Sequence, residues 1–311
     1  MTSPDRQRAV LRAAQLYFLD GLTQAAVAER LGCTRWTVGR LLKEGMKSGI
    51  VNISISHLYA REHALEIALN EKYGLNNSLV VRTQPSARET LALVAQTAAD
   101  YLSDIRPRPR TVAVAWGRTT AAMARAAADN WNPGVTVVQA HASPGEVDEL
   151  LATGPARILA KKGPGSLVEL GVTPIAATQR EAKELRMTSR GKGALHLAQN
   201  ADVIVYAPGN IPRSSLLVRG GYLTSHQLRV LWEQGARANI IFHIVDSAGE
   251  VVSEELDERT VGVSLQDLRR KNSVIAVGTG EARVDAFAAV LAGKLATTVI
   301  TDSETAQALL S

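Results

Sequence analysis

Apolar positions in the first fifty residues recur at helical spacing in three short runs. Val10, Leu11, Ala14, Tyr17 and Phe18 share one face of a helix predicted over 5–19, which Gly21 stops. Thr23 is placed to cap a second helix, QAAVAERL (24–31), and Thr34 a third, RWTVGRLLKEGMKS (35–48). Gly32 and Gly49 end these two. IVNISIS (50–56) then alternates as a strand, where a winged helix carries its wing. A further amphipathic run, 60–73, puts Ala64, Leu65, Ala68, Leu69 and Tyr73 on one face and predicts a connecting helix that could also pair subunits.

Beyond residue 77 the pattern changes to continuous apolar runs. SLVVRT (78–83), TVAVAWG (111–117), VTVVQA (135–140), VTPIAA (172–177), ADVIVYAPG (201–209), IIFHIVD (240–246), SVIAVGTG (273–280) and TTVITD (297–302) read as strands, most separated by helical segments. Strands that are apolar on both sides and alternate with helices predict a parallel sheet covered on both faces. The expected fold is therefore α/β: an N-terminal (winged) helix-turn-helix over 1–56, a linker helix over 57–77, and a Rossmann-like, doubly wound domain over 78–311.

Composition adds little to this, and charge adds more. At 46% hydrophobic and 21% charged the chain has the make-up of a soluble globular protein. The net charge is +5. Residues 1–56 hold eight basic residues (Arg6, Arg8, Arg12, Arg30, Arg35, Arg40, Lys43, Lys47) against four acidic ones (Asp5, Asp20, Glu29, Glu44), a net +4 that leaves +1 for the rest. The basic excess belongs to the N-terminal head and favours a polyanionic partner there. With Cys33 as the one cysteine there is no intrachain disulfide, so a reducing compartment is the default. No apolar run has transmembrane length and the first residues are polar, so the protein reads as cytoplasmic, with no membrane partner.

The head meets the demands of a helix-turn-helix in register. Counting from Gln24, Ala28 is small where two helices nearly touch, Gly32 supplies the turn, and Val38 and Leu41 return to the core. The third helix then presents Thr34, Arg35, Thr37, Arg40 and Lys43 opposite its apolar face, for base edges and phosphates of duplex DNA. Gln24 and Trp36 complete the candidate DNA-binding set. The bland alternative is a three-helix bundle with a solvated basic face. Trp36 suits a sugar or a thymine methyl, and equally a place against the second helix or the wing. Gly39, costly inside a helix, marks a close approach.

In the large domain, WGRTT (116–120) runs from a buried strand into a helix. A glycine, an arginine and two hydroxyls at a helix N-terminus suit an anion, because free amides and the positive dipole end converge there. Other loops at strand C-termini are Gln139 with His141, Pro208–Gly209–Asn210, Asp246 and Gly278–Thr279–Gly280. Open α/β sheets bind ligands along that edge. Neither GxGxxG nor GxxxxGK[ST] follows a strand, so no nucleotide cofactor is expected. The six histidines show no metal spacing and no catalytic set is assigned; His141 with Glu146 or Asp148 is the best acid–base offer.

The run GLTQAAVAERLGCTRWTVGRLLKEGMKSGIVNISI (21–55) resembles the head of the SorC family of bacterial sugar-responsive regulators, and residues 214–310, from SSLLVRGGYL to ETAQALL, are similar to its effector domain. The resemblance covers nearly the whole chain and is weakest over 140–195. It implies a sugar-isomerase-like effector domain and a transcriptional regulator, not an enzyme, of carbohydrate-metabolism genes. The implied partners are double-stranded operator DNA, a small sugar, polyol or sugar phosphate, and further copies of the chain as a dimer or tetramer. By the same resemblance Gly117, Arg118, Thr119 and Thr120 match a phosphate-holding junction, Gln139 lies at the second strand end, Gly209 follows ADVIVYAP, and Gly278, Thr279 and Gly280 stand in an AGG-type loop. His141, in the loop after Gln139, joins the candidate effector-binding set. Arg283 falls where a Lys is common, and Asp257 and Arg259 of DERTVGVSL belong near the same pocket. The chain departs from the family pattern at QAHASPGE, at Thr279 for a glycine, and at Trp36 for a frequent proline. The rival is a sugar-phosphate isomerase or deaminase with a DNA-binding head.

Overall fold

Two threonines and a glycine set the geometry of the head. In the computed structural model, which describes residues 4–51, 61–142, 154–211 and 216–311, contacts separate the units Met1–Leu58 and Tyr59–Ser311. The first unit holds helices α1 (Pro4–Ala14), α2 (Gln24–Arg30) and α3 (Arg35–Lys47). The Thr23 hydroxyl accepts from the Ala26 N–H at 3.3 Å and the Thr34 hydroxyl from the Thr37 N–H at 3.2 Å, so each satisfies an orphan amide at a helix start. Gly32 turns the chain between α2 and α3 at φ +61°, a conformation that disfavours a Cβ. Val10, Ala13, Leu16, Val27, Ala28, Val38, Leu41 and Leu42 form the core of the head. Arg6 on α1 is bound to Glu44 on α3 at 2.8 Å.

One helix was expected through residue 19; α1 instead widens into a π-helical turn, Gln15–Leu19. The extra residue in that turn rotates the face: Leu16 is buried, while Phe18 is 40% and Leu19 79% exposed. Most of the expected wing strand, 52–56, lies outside the described residues.

Among the described residues the second unit contains ten strands: β1 (Asn77–Val81), β2 (Thr111–Val114), β3 (Thr136–Gln139), β4 (Ser166–Val168), β5 (Val203–Tyr206), β6 (Gly209–Asn210), β7 (Ala238–Ile240), β8 (His243–Val245), β9 (Val274–Val277) and β10 (Thr298–Asp302). Seven make one parallel sheet in the order β1-β10-β9-β5-β2-β3-β4. Helices Ala87–Asp104, Arg118–Ala126 and Pro155–Lys162 cover one face through Leu93, Val94, Met123 and Leu159. Ser189–Gln199, Val284–Ala292, Ser303–Leu310 and His63–Tyr73 contribute to the core of the other. Both faces are covered, which is why the strands carry no polar alternation.

Two expected strands differ. Residues 172–177 form no strand; Ile175 makes a single bridge to Thr260, and β4 takes the sheet edge. The run 240–246 belongs to a separate antiparallel sheet, β6-β7-β8, with its own apolar cluster around Leu217, Leu228, Leu231, Phe242 and Ile244. The hairpin turns at Ile241 and Phe242, φ +52° and +71°, where Asn-Gly is the usual pair. Asn239 Oδ1 accepts the Phe242 N–H at 2.8 Å and helps hold the strained turn. An apolar turn inside an apolar run leaves no signal in hydrophobicity. Helix His63–Tyr73 packs on β1 and on Ser303–Leu310, with Glu66 buried beneath it, accepting from the Val80 N–H at 2.9 Å and from Arg61 at 3.0 Å.

Candidate functional site

The solvent face of α3 is basic and carries one large aromatic. Thr34, Arg35, Arg40 and Lys43 are exposed, Gln24 and Thr37 half-buried, and Val38, Leu41 and Leu42 point inward. Trp36 is 70% exposed, so it packs against neither α2 nor the core; the Arg40 guanidinium lies 4.7 Å from its ring centre. A Cβ on Gly39 would have only Gln24 Oε1, at 3.9 Å, within reach, so nothing in the fold demands a glycine there.

At the other candidate site the sheet topology does the positioning. The connection leaving β2 leads to β3 on one side, and those leaving β5 and β9 lead to β9 and β10 on the other, so the crevice between β2 and β5 is a topological switch point. There the turn Ala115–Gly117 opens the helix Arg118–Ala126. Thr120, fully buried, donates to the carbonyls of Ala115 (2.8 Å) and Gly117 (3.0 Å) and locks the turn. No acceptor among the described residues takes the N–H groups of Arg118, Thr119 or Thr120. The Thr119 hydroxyl makes no hydrogen bond among them either, although the residue is only 1% exposed.

Arg283 enters the same crevice from the loop after β9. Its guanidinium donates to the Pro208 carbonyl after β5 at 3.5 Å. Burial, and then the charge of Arg118, pull it below its ordinary pKa. Two guanidiniums therefore face one region with no carboxylate paired to either among the described residues. Gly278 makes room for this: a Cβ there would lie 3.0 Å from the Phe287 ring and 3.3 Å from Arg283. Free amides, a helix N-terminus and two unpaired cations are what an anionic group needs.

The rest of the loop is held from behind by Asp302, the last residue of β10, which sequence reasoning missed. Its carboxylate accepts from the Thr279 hydroxyl (2.5 Å), the Gly280 N–H (3.1 Å), the Thr305 hydroxyl (2.7 Å) and N–H (3.1 Å), and the Thr83 hydroxyl (2.9 Å). Burial alone would raise this carboxyl, but the bonds from Thr279, Thr305 and Thr83 outweigh it and keep the pKa low. Thr279, where the resembled family has a glycine, spends its hydroxyl on this anchor. The signal available was TD before a helix, the pattern of an N-cap; its partner 23 residues upstream was not readable.

Three more expected residues serve the scaffold. Gln139 Oε1 accepts the Leu170 N–H at 3.0 Å. Gly209 pairs with Asn239 in the small sheet. His141 is 2% exposed, with Nε2 accepting the Trp116 N–H (3.1 Å) and Nδ1 donating to the Ala142 carbonyl (2.7 Å). Burial pulls its pKa to about 4, so the neutral ring braces the turn before Gly117 and has no free nitrogen for proton transfer. Glu146 and Asp148 lie outside the described residues. Asp257 binds the buried His243 Nδ1 (2.5 Å), and Arg259 donates to the Ala176 carbonyl (2.8 Å) and pairs with Glu255 (3.0 Å). Among the described residues no cluster of His, Cys, Asp or Glu could hold a metal, and no helix is long and apolar enough to cross a membrane.

Comparison with known proteins covers both units. Residues 57–311 match the family described as "Putative sugar-binding domain", and residues 4–48 match Sigma-70, region 4. The deoxyribonucleoside regulator of Bacillus subtilis is 28% identical over 99% of this chain and 98% of its own length. The transcriptional regulator LsrR of an Enterobacter species is 28% identical over 97% and 92%. The full-length sorbitol operon regulator SorC of Klebsiella pneumoniae shares the fold at a TM-score of 0.74, with 21% identity and all of both chains covered.

Proposed function

The chain belongs to the SorC family of transcriptional regulators, that of the matched sugar-binding domain, and on this premise we propose that it controls carbohydrate-metabolism genes through a small effector held at the sheet's C-terminal edge. The observation that carries the reading is the pair of Arg118 and Arg283 beside three free helix-start amides. The phosphate of a sugar phosphate sits on the amides of Arg118, Thr119 and Thr120, the Thr119 hydroxyl and the two guanidiniums. Gly117 and Gly278–Gly280 give the backbone its close approach. A free sugar or polyol would leave both cations unpaired, so the phosphorylated class is favoured. Gln24, Thr34, Arg35, Trp36, Thr37, Arg40 and Lys43 meet operator DNA.

Two heads of a dimer or tetramer bind successive major-groove faces. The effector acts by binding one arrangement of the oligomer better than another; equal affinity for both would shift nothing. The protein works in the cytoplasm and turns over no substrate: the rival isomerase reading needs an acid–base pair, its best offer was His141 with Glu146, and both nitrogens of the His141 ring are taken.

The test has two arms. The purified chain is titrated against the DNA upstream of its own gene at several salt concentrations, and the affinity is expected to fall steeply as salt rises. A thermal-shift panel of sugar phosphates, free sugars, polyols and deoxyribonucleosides should single out a phosphorylated compound as the strongest stabiliser. Absent or salt-independent DNA binding overturns the regulator reading; turnover of a panel compound revives the enzyme.

A further inference from the structure

Trp36 is the most exposed of the protein's described tryptophans, and among the described residues its one aromatic-face contact is with Arg40. The two residues are one helical turn apart near the start of α3, on the face away from Val38 and Leu41. Arg40 is otherwise uncommitted: it has no ion pair or hydrogen bond among the described residues. Glu44, one turn further on, would be its natural partner, but Arg6 takes that carboxylate at 2.8 Å, and Arg40 reaches it only through its charge.

We infer that Trp36 and Arg40 form a preassembled base-reading unit, in which the indole holds the guanidinium edge-on to a guanine of the operator. A guanidinium lying over a ring uses its flat face and leaves its in-plane N–H fork pointing outward. That fork matches the O6 and N7 acceptors of guanine in the major groove, whereas a phosphate would accept any cation. The stack also removes side-chain freedom before DNA arrives, so less is lost on binding. Arg35 and Lys43, with no such neighbour, are left to phosphates.

This rests on α3 being the recognition helix, and the experiment separates the two. The full chain is incubated with a pool of synthetic duplexes randomised over two to three helical turns, bound DNA is sequenced, and the procedure is repeated with Trp36→Ala, Trp36→Phe, Arg40→Ala and Arg40→Lys. Circular dichroism checks that each variant is folded, as both side chains lie outside the core. The wild type is expected to select a motif with a fixed guanine. Arg40→Ala and Arg40→Lys should lose preference at that one position by about 10- to 100-fold, the worth of a bidentate base contact, with the other positions kept. Trp36→Ala should blur the same position and Trp36→Phe should largely restore it. A uniform drop across all sequences assigns Arg40 to a phosphate and overturns the inference. So does loss of different positions in the Trp36 and Arg40 variants. Failure of the wild type to select any motif defeats the DNA-binding reading itself.

Discussion

The Trp116 N–H donates to Nε2 of His141 across 3.1 Å, so the residue just past β3 fixes the turn that precedes the helix start proposed to hold an anion after β2. Only a neutral ring can accept there. Protonation of His141 must break this bond and bury a charge.

His141 therefore makes stability pH-dependent. Its folded pKa, about 4, lies below the ordinary value of 6.5. The unfolded chain binds the proton more readily, so the full stability is present above pH 6.5 and is lost as pH falls toward 4. The loss amounts to roughly 3 kcal/mol across that window. Urea unfolding at pH 7.5, 6.5 and 5.5 should show this slope, and His141→Gln, which cannot titrate, should flatten it. Parallel slopes in the two proteins would refute the assignment.

Asp302 joins the Gly278–Gly280 loop to the body of the sheet. Replacing it with Ala strips the Thr279, Thr305 and Thr83 hydroxyls and two amides of a charged acceptor. A loss of about 2–3 kcal/mol in stability is expected, with weakened effector binding because the loop is released. Asp302→Asn keeps the shape and should recover part of the stability. Denaturant midpoints and effector titration of both variants check this.

Arg283→Ala should cost the preference for a phosphorylated effector over its free sugar, by about 10-fold or more, with DNA binding in the absence of effector unchanged. Arg283→Lys keeps the charge and should retain most of the preference. Calorimetric titration with the phosphorylated and unphosphorylated forms of the panel hit reads both. If the preference survives Arg283→Ala, the anion lies elsewhere.

Gly39→Ala separates folding from function. The new methyl meets only Gln24 Oε1, at 3.9 Å, and a helix-interior glycine gives way to the best helix former. The head should gain about 1 kcal/mol. If the bare backbone is there for DNA, affinity for the upstream duplex falls while the melting temperature rises. An unchanged affinity would leave Gly39 without a role at the interface.

Much of the head could be read from sequence because its determinants are local. Thr23 and Thr34 each serve an amide three residues on, Gly32 makes its turn alone, and Val27, Val38 and Leu41 follow a fixed period. The WGRTT junction was legible for the same reason: a strand, a turn and a helix start are one contiguous segment. The π turn at Gln15–Leu19 was not, since it alters which side of a helix faces inward without altering composition.

By itself, then, the sequence determined the local elements: the capped helices, the apolar strands, and a helix start with free amides. Only the tertiary structure decided which distant residues meet. Arg283 stands beside Arg118 because β9 and β2 flank β5, an order that no strand carries within itself. The same packing turned His141 from an acid–base candidate into a brace, and drew Asp257 to His243 and Arg259 to the Ala176 carbonyl. The hairpin at Ile241–Phe242 left the main sheet because burial on every side erases the period that tells a turn from a strand. Local propensity is set over a few residues; partner choice is set by which surfaces the finished sheet leaves to be covered.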